Sequence, residues 1–468
     1  MRLITLGAGC MVCSLLAGAA GIVLFAQEVP DATLRVFSRG IIPTAQPEEA
    51  SERIPVPVAV PVTVQPPAPL PADRAALPRP RPVAATPREP TSREFTSREF
   101  NPEIAETAWR YFEKNYQSGT GWFDSVRGYS YTTLWDLASG LAAVACAEKL
   151  GIISPSRANE LLQPALHTLA KIHLYNAELP NREYNTATAA LSGPKAVGGK
   201  GTGWSALDLG RLLIWLKIVG AWHPEYAGLT REIVQRWKFG RLAQSQEMFG
   251  LYYGGAKEYR RQEGRLGYEQ YSASGYELWG IPMKKSKDYL ETRPIEVLGI
   301  ELAADQRNVP YLTSEPFLLA AFEVGAIDPR YSTLTSNLYR AQQRRWETTG
   351  ELTAASEDSQ DRAPWFAYFN IYYQGQAWQC RDHSGLPSPG SCGFSAKAAF
   401  GWAALFDDDY ARLLEDTART LASADGYIAG KYPDGKRNAA MNINTNAVIL
   451  EAMLYRQRGR RPFLEAMP

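Results

Sequence analysis

From Pro43 to Pro90 the chain is dominated by Pro, Ala, Val and Arg, as in IPVPVAVPVTVQPPAPLPADR at 54–74. Proline fixes φ and lacks an amide donor, so this density blocks both helix and sheet ladders. The tract is expected to be a disordered, polyproline-rich spacer, on the order of 150 Å long if extended at about 3.1 Å per residue. The tandem TSREF-TSREF at 91–100 closes it. The 468 residues therefore divide into three parts: an apolar segment within 1–26, a linker over 27–100, and a folded region over 101–468. Residues 3–26 carry no charge and are about long enough to cross a bilayer, which makes them a membrane anchor or a secretory signal peptide. The flanking charges, Arg2 before and Arg35 and Arg39 after, do not favour an exported C-terminus by the positive-inside count. Cysteine usage points the other way. Cys380 and Cys392 lie twelve apart in a Gly/Pro/Ser-rich loop and read as a loop-closing disulfide ahead of two unpaired thiols. A disulfide implies an oxidising compartment, so the expected location is the cell envelope, with the folded region in the periplasm.

The folded region reads as helices separated by loops rich in Gly and aromatics. Asn101–Pro102–Glu103 combines an N-cap, a first-turn Pro and an acid, a helix start. Leucines recur at three- and four-residue steps in 132–150 and 204–221. Further helices are expected near 155–173, 226–240, 265–279, 312–325, 328–346, 395–405, 408–422 and 444–459, with strand-like runs at 294–302 and 365–373. About eleven helices over this length stack naturally as hairpins around one core. The count alone leaves a closed ring and an open helical array both standing.

Many carboxylates sit beside aromatics, Gly or Ser/Thr: Asp136 (TTLWD), Glu183 (LPNREY), Asp208 (GWSALD), Glu269 (GYEQY), Glu277 (GYELW), Glu315 (LTSEPF), and Glu357, Asp358 and Asp361 (SEDSQD). Aromatic faces pack on sugar rings, acids hydrogen-bond sugar hydroxyls, and glycoside hydrolysis needs two carboxyl groups, one of them protonated. A dry aromatic wall raises an acid's pKa so that it can donate near neutral pH. Each acid also has a plain reading: Asp136 as a first-turn acid, Asp208 paired with Arg211, Glu315 at a helix start. Other chemistries lack material. With four His and no P-loop, GxSxG or HExxH, the sequence offers no nucleotide, triad or zinc site, and no cofactor or metal is expected. A net charge of +1 argues against a nucleic-acid partner.

The blocks FDSVRGYSYTTLWDLASGLAA (123–143), LPNREYNTAT (179–188), GWSALDLGRLL (203–213), EGRLGYEQYSASGYELWG (263–280), YLTSEPFLLAAFEVG (311–325), TAASEDSQDRAPWFAY (353–368), SAKAAFGW (395–402) and NINTNAVILEAMLY (442–455) carry a resemblance. Together they are similar to a bacterial family known as domain of unknown function 3131, grouped with glucoamylase-like proteins of the six-hairpin glycosidase superfamily. The resemblance implies an all-α (α/α)6 toroid with short β-strand insertions and a carbohydrate-sized cleft, in an envelope or exopolysaccharide setting. Its relatives include glucanases that invert using a Glu acid and a distant carboxylate base. Carried over by motif, Glu269 matches the acid, Asp358 or Glu357 the base, and Asp136 an acid that holds sugar hydroxyls. The remaining sugar contacts are expected from Trp135, Asp208, Tyr268, Tyr271, Glu277, Glu315, Trp365 and Asn446. The function so implied is hydrolysis of a bacterial polysaccharide, a β-glucan or exopolysaccharide. The rival readings are a non-catalytic polysaccharide-binding or assembly factor and a polysaccharide lyase. The expected partners are the polysaccharide and, through residues 3–26, the cytoplasmic membrane.

Overall fold

A computed structural model of the chain describes residues 101–192 and 200–465. The expected membrane segment (3–26) and linker (27–100) lie outside the described residues. Among those described, no helix is long and apolar enough to cross a membrane.

Helices alternate between two kinds along the chain. The odd-numbered set is α1 (Pro102–Lys114), α3 (Pro155–Lys171), α5 (Ala227–Gln235), α7 (Lys284–Lys287), α9 (Pro329–Thr349) and α11 (Asp409–Arg419). The even-numbered set is α2 (Leu134–Lys149), α4 (Ala206–Trp222), α6 (Tyr268–Glu277), α8 (Glu315–Leu319), α10 (Ala396–Leu405) and α12 (Ile443–Gln457). The long odd helices bury one stripe only, for example Leu161, Leu162, Ala165, Leu166 and Leu169 in α3, and keep a solvated face. The even helices are buried on nearly every side: in α12 every residue from Ile443 to Arg456 is covered. A helix buried all round belongs to the middle of a large fold. Contacts run α2–α4, α4–α6, α6–α8, α8–α10, α10–α12 and back to α2, so the even helices close a ring of six with the odd helices outside it. This is the (α/α)6 toroid.

Small residues let the ring close. A Cβ on Gly275 of α6 would strike the carbonyl oxygen of Gly210 in α4, so these helices cross at backbone contact. Two members depart from regular hairpins. The expected helix at 312–325 is regular only over α8; Ala320–Val324 continues as a wider π-helical turn. The run at 294–302 is a hairpin rather than a single strand, because Leu298 and Gly299 take positive φ (53° and 76°) and reverse the chain. That hairpin follows the one-turn α7, in which only Ser286 is buried, and it packs on α9.

The loops entering the even helices fold into short antiparallel ladders over the N-terminal mouth of the ring. Thr132–Thr133 pairs with Glu183–Tyr184, and Glu357–Ser359 pairs with Phe366–Tyr373. Phe394–Ser395 pairs with Gly430–Lys431. Cys380 and Cys392 are disulfide-bonded, with Cα atoms 5.5 Å apart.

Candidate active site at the mouth of the ring

Five of the six even helices open on a polar residue, and α6 opens on Gly267. N-caps Thr133, Ser205, Ser395 and Asn442 accept from amides three residues on, in α2, α4, α10 and α12. In α6, Gly267 takes φ 96° and its amide donates to Gln270 Oε1 (2.8 Å). The first turns then carry Asp136 (α2), Asp208 (α4), Glu269 (α6), Glu315 (α8), Lys397 (α10) and Asn444 (α12), all buried. Three of the six, Asp136, Lys397 and Asn444, line one pocket.

Lys397 is the hub of one side. Its ammonium contacts Glu315 Oε2 directly and lies 3.7 Å from Asp358 Oδ1, on the strand over the mouth. Glu315 also accepts from Trp135 Nε1 (3.1 Å) and Asn444 Nδ2 (3.0 Å). Burial pushes Asp358 up to about 7 against the pull of Lys397 and a hydrogen bond from Ser395, and Glu357 and Glu315 push the same way. Glu357, its strand neighbour, points to the other face, where the Tyr268 hydroxyl and Ser356 Oγ (3.3 Å) hold it.

A second acidic group stands opposite. Glu183 lies on the strand paired with the entry to α2, close to Tyr131 and to Asp208 at the head of α4. Burial raises Glu183 to about 7; Tyr131 and Arg182 pull it down, and Asp208 pushes it up. Arg182 is committed elsewhere, to the carbonyls of Trp204 (2.8 Å) and Leu251 (3.3 Å) and to Glu263 (3.3 Å). Glu183 thus sits on the α2/α4 arc of the ring and Asp358 on the α8/α10 arc, three helices round. Two pockets open at the heads of the even helices. One is lined by Ser125, Asp136, Ser359, Phe366, Lys397 and Asn444. The other is lined by Leu207, Glu263, Arg265, Tyr268, Tyr311 and Tyr368, the last two stacked at 3.8 Å.

Below the mouth a polar core fills the ring axis. Arg211 of α4 donates to Asn444 Oδ1 (2.8 Å), Ser139 Oγ (2.8 Å) and Glu451 (2.8 Å), lies 3.5 Å from Glu323, and stacks over Trp135 at 4.9 Å. Glu323 also accepts from Trp215 Nε1 (2.8 Å) and the Tyr271 hydroxyl. Burial raises both Glu323 and Glu451, which face each other closely enough to share a proton.

The residues expected at the site fall in different surroundings. Glu269 is buried in the first turn of α6. Its carboxylate accepts from Gln262 Nε2 (3.0 Å) and Arg307 (2.7 Å) and bonds Ser286 of α7, in the outer layer. Burial pushes it up to about 7 against Arg307. Tyr268, one position along, is the residue of α6 that reaches the pocket, because successive helical side chains diverge by about 100°. Trp135, Tyr271, Glu315 and Asn446, expected to touch sugar, are sealed in the interior. Asn446 instead bonds the backbone of Tyr427 through both ends of its amide (2.8 and 3.1 Å). Glu277 is exposed at the far end of α6 and pairs with Lys287 (2.8 Å). Asp208 is fully buried beside Glu183, Asp136 lines the pocket, and the half-buried Trp365 packs on the tyrosine cluster around Tyr311. Sequence reasoning missed Lys397 and Asn444 and gave Glu183 no role. The available signal was the helix starts themselves: SAK at 395–397 and NIN at 442–444 put a polar side chain two residues after an N-cap, as TLWD and SALD put one three residues after. Among the described residues, no group of three or more His, Cys, Asp or Glu is placed to hold a metal ion.

Solved structures share this architecture. A glucoamylase-like protein from Bacteroides uniformis superposes with a TM-score of 0.58 at 10% identity, covering 79% of this chain and 94% of that one. The endo-β-1,2-glucanase of Chitinophaga pinensis, solved with sophorotriose and glucose, gives 0.55 at 13% identity over 77% and 92%. The endo-β-1,2-glucanase of Talaromyces funiculosus with sophorose gives 0.51 at 12% over 76% and 84%. At these identities the likeness is one of fold. No curated protein matches the chain. The model of a family described as protein of unknown function, DUF3131, matches residues 103–459, nearly all of the folded region, and the chain belongs to that family.

Proposed function

We propose that this protein is a glycoside hydrolase acting on a glucan or related bacterial polysaccharide, bound across the mouth of the helical ring. The observation that carries the reading is the pair Glu183 and Asp358: two carboxyl groups on opposite arcs of one mouth, each held near 7 by burial. Inverting hydrolysis needs such a pair, about 6.5–9.5 Å apart, with space for a water. Asp358, beside the Lys397 ammonium, is the base that takes a proton from that water. Glu183 has its nearest cation, Arg182, engaged by two carbonyls and Glu263, and is the acid that protonates the leaving oxygen. Asp136 holds sugar hydroxyls, and Tyr268, Tyr311 and Tyr368 offer the flat wall. The disulfide supports placing the domain in an oxidising compartment, and we extend the proposal to the cell envelope, with residues 3–26 as anchor or export signal.

The test is release of new reducing ends from a panel of bacterial glucans, β-1,2-glucan included. Glu183→Gln and Asp358→Asn should each lower turnover about 10³-fold, a typical contribution for a general acid or base. Glu269→Gln should retain it. Loss in Glu269→Gln at unchanged melting temperature, with Glu183→Gln active, would return the acid role to Glu269. Saturable polysaccharide binding with no product from any glucan would replace the hydrolase reading by that of a binding factor.

A further inference from the structure

Lys397 is a single buried ammonium placed between two carboxylates. It is in direct contact with Glu315 and 3.7 Å from Asp358, so at rest it belongs more to Glu315. Glu315 is locked in that contact: Trp135 Nε1 and Asn444 Nδ2 donate to its two oxygens, and Asn444 is in turn fixed by Arg211. Nothing in the hydrolytic scheme uses Glu315, and no sugar can reach it.

We propose that Glu315 is a positioning residue for Asp358: acting through Lys397, it holds the shared ammonium to its own side and so sets how readily Asp358 takes up a proton. The functional meaning of this rests on Asp358 being the base; the electrostatic claim does not. The ionisable groups around Asp358 are few. Glu315 comes from α8, Lys397 from α10, Glu357 from its own strand, Tyr268 from α6 behind Glu357, and Asp136 from α2 across the pocket. Asn444 of α12 is neutral. Removing Glu315 takes away a negative neighbour and releases Lys397 towards Asp358, which makes Asp358 more acidic. Removing the Lys397 charge does the opposite. A residue that merely packed would not produce shifts of opposite sign.

The experiment is a titration of the intact protein labelled with ¹³Cγ-aspartate, the Asp358 resonance being the one absent from Asp358→Asn. Glu315→Gln, which keeps the side-chain shape, should move the Asp358 midpoint down by about one pH unit or more, a tenfold change in acidity. Lys397→Met should move it up by a similar amount. Lys397→Arg, which keeps the charge, should leave the midpoint within about half a unit of wild type and serves if Lys397→Met does not fold. An unmoved midpoint in Glu315→Gln, or shifts of the same sign in Glu315→Gln and Lys397→Met, overturns the proposal. The acidic limb of kcat/KM on a glucan should follow the same midpoints. Opposite midpoints in a protein that hydrolyses nothing would uphold the role of Glu315 while removing the hydrolase reading.

Discussion

Replacing Arg211 by Met tests whether the ring axis is held by charge. Arg211 is completely buried and its guanidinium serves four partners: Ser139, Asn444, Glu451 and Glu323. Burial works against its charge, but Glu451, Tyr271, Glu323 and Glu315 outweigh that cost and raise its pKa further. Met fills much of the volume but leaves the Glu323/Glu451 pair without a cation, and breaking a buried pair in this way costs about 3–5 kcal/mol. For a domain of this size, roughly 2 °C of melting temperature is lost per kcal/mol, so the expected drop at pH 7 is about 6–10 °C. The pH dependence carries the mechanism. With one proton on the pair in the wild type and both carboxyls neutral in the variant, the folded variant would bind one proton more. Unfolded glutamates ionise near pH 4.3, so above that pH the extra proton makes the variant's stability fall as pH rises, by about 1.4 kcal/mol per unit. The deficit should therefore shrink to about 1 kcal/mol at pH 5. Calorimetry between pH 5 and 8 measures it, and Arg211→Met/Glu451→Gln, which removes the surplus carboxyl, should recover most of the loss. A deficit unchanged between pH 5 and pH 8, or below about 1 kcal/mol at pH 7, would refute the argument.

The carboxyl held near 7 at the mouth also burdens the fold. Asp358 binds a proton more tightly folded than unfolded, so its ionisation costs stability that is lost as pH rises from about 4 to 7. Asp358→Asn should raise stability by about 4 kcal/mol at pH 8 and by nothing at pH 4, while turnover falls; a thermal melt at the two pH values checks it. Removing the bridge in Cys380→Ser/Cys392→Ser opens a loop of 12 residues and should cost about 3 kcal/mol, read as a melting shift that a reductant reproduces in the wild type. Gly275→Ala forces a methyl group into the Gly210 carbonyl and should cost about 3 kcal/mol or abolish soluble expression, with Gly228→Ala, where a Cβ meets nothing, as the neutral control.

Helix positions were legible in the sequence wherever a cap or a one-sided stripe existed. Asn101–Pro102 starts α1 where expected, and Phe366–Tyr373 is the strand that its aromatic run suggested. The ring was less legible, because a leucine stripe in 204–221 looks amphipathic although the helix is buried on nearly every side; Asp208, Gly210, Arg211, Ile214 and Trp215 between the leucines are covered too. The site is less legible for a geometric reason. Neighbours on a helix point about 100° apart, so Tyr268 lines the pocket while Glu269 beside it is held by Gln262 and Arg307. On the strand, Glu357 and Asp358 diverge for the corresponding period-two reason. The better marker was of another kind. In SAKAAFGWAAL, Lys397 is the only charge on an otherwise apolar helix, and a lone ammonium in such a setting must find a carboxylate or go neutral. Glu315 and Asp358 are the carboxylates it found, which makes the lone cation, rather than the acids, the sequence feature that points into the mouth of the ring.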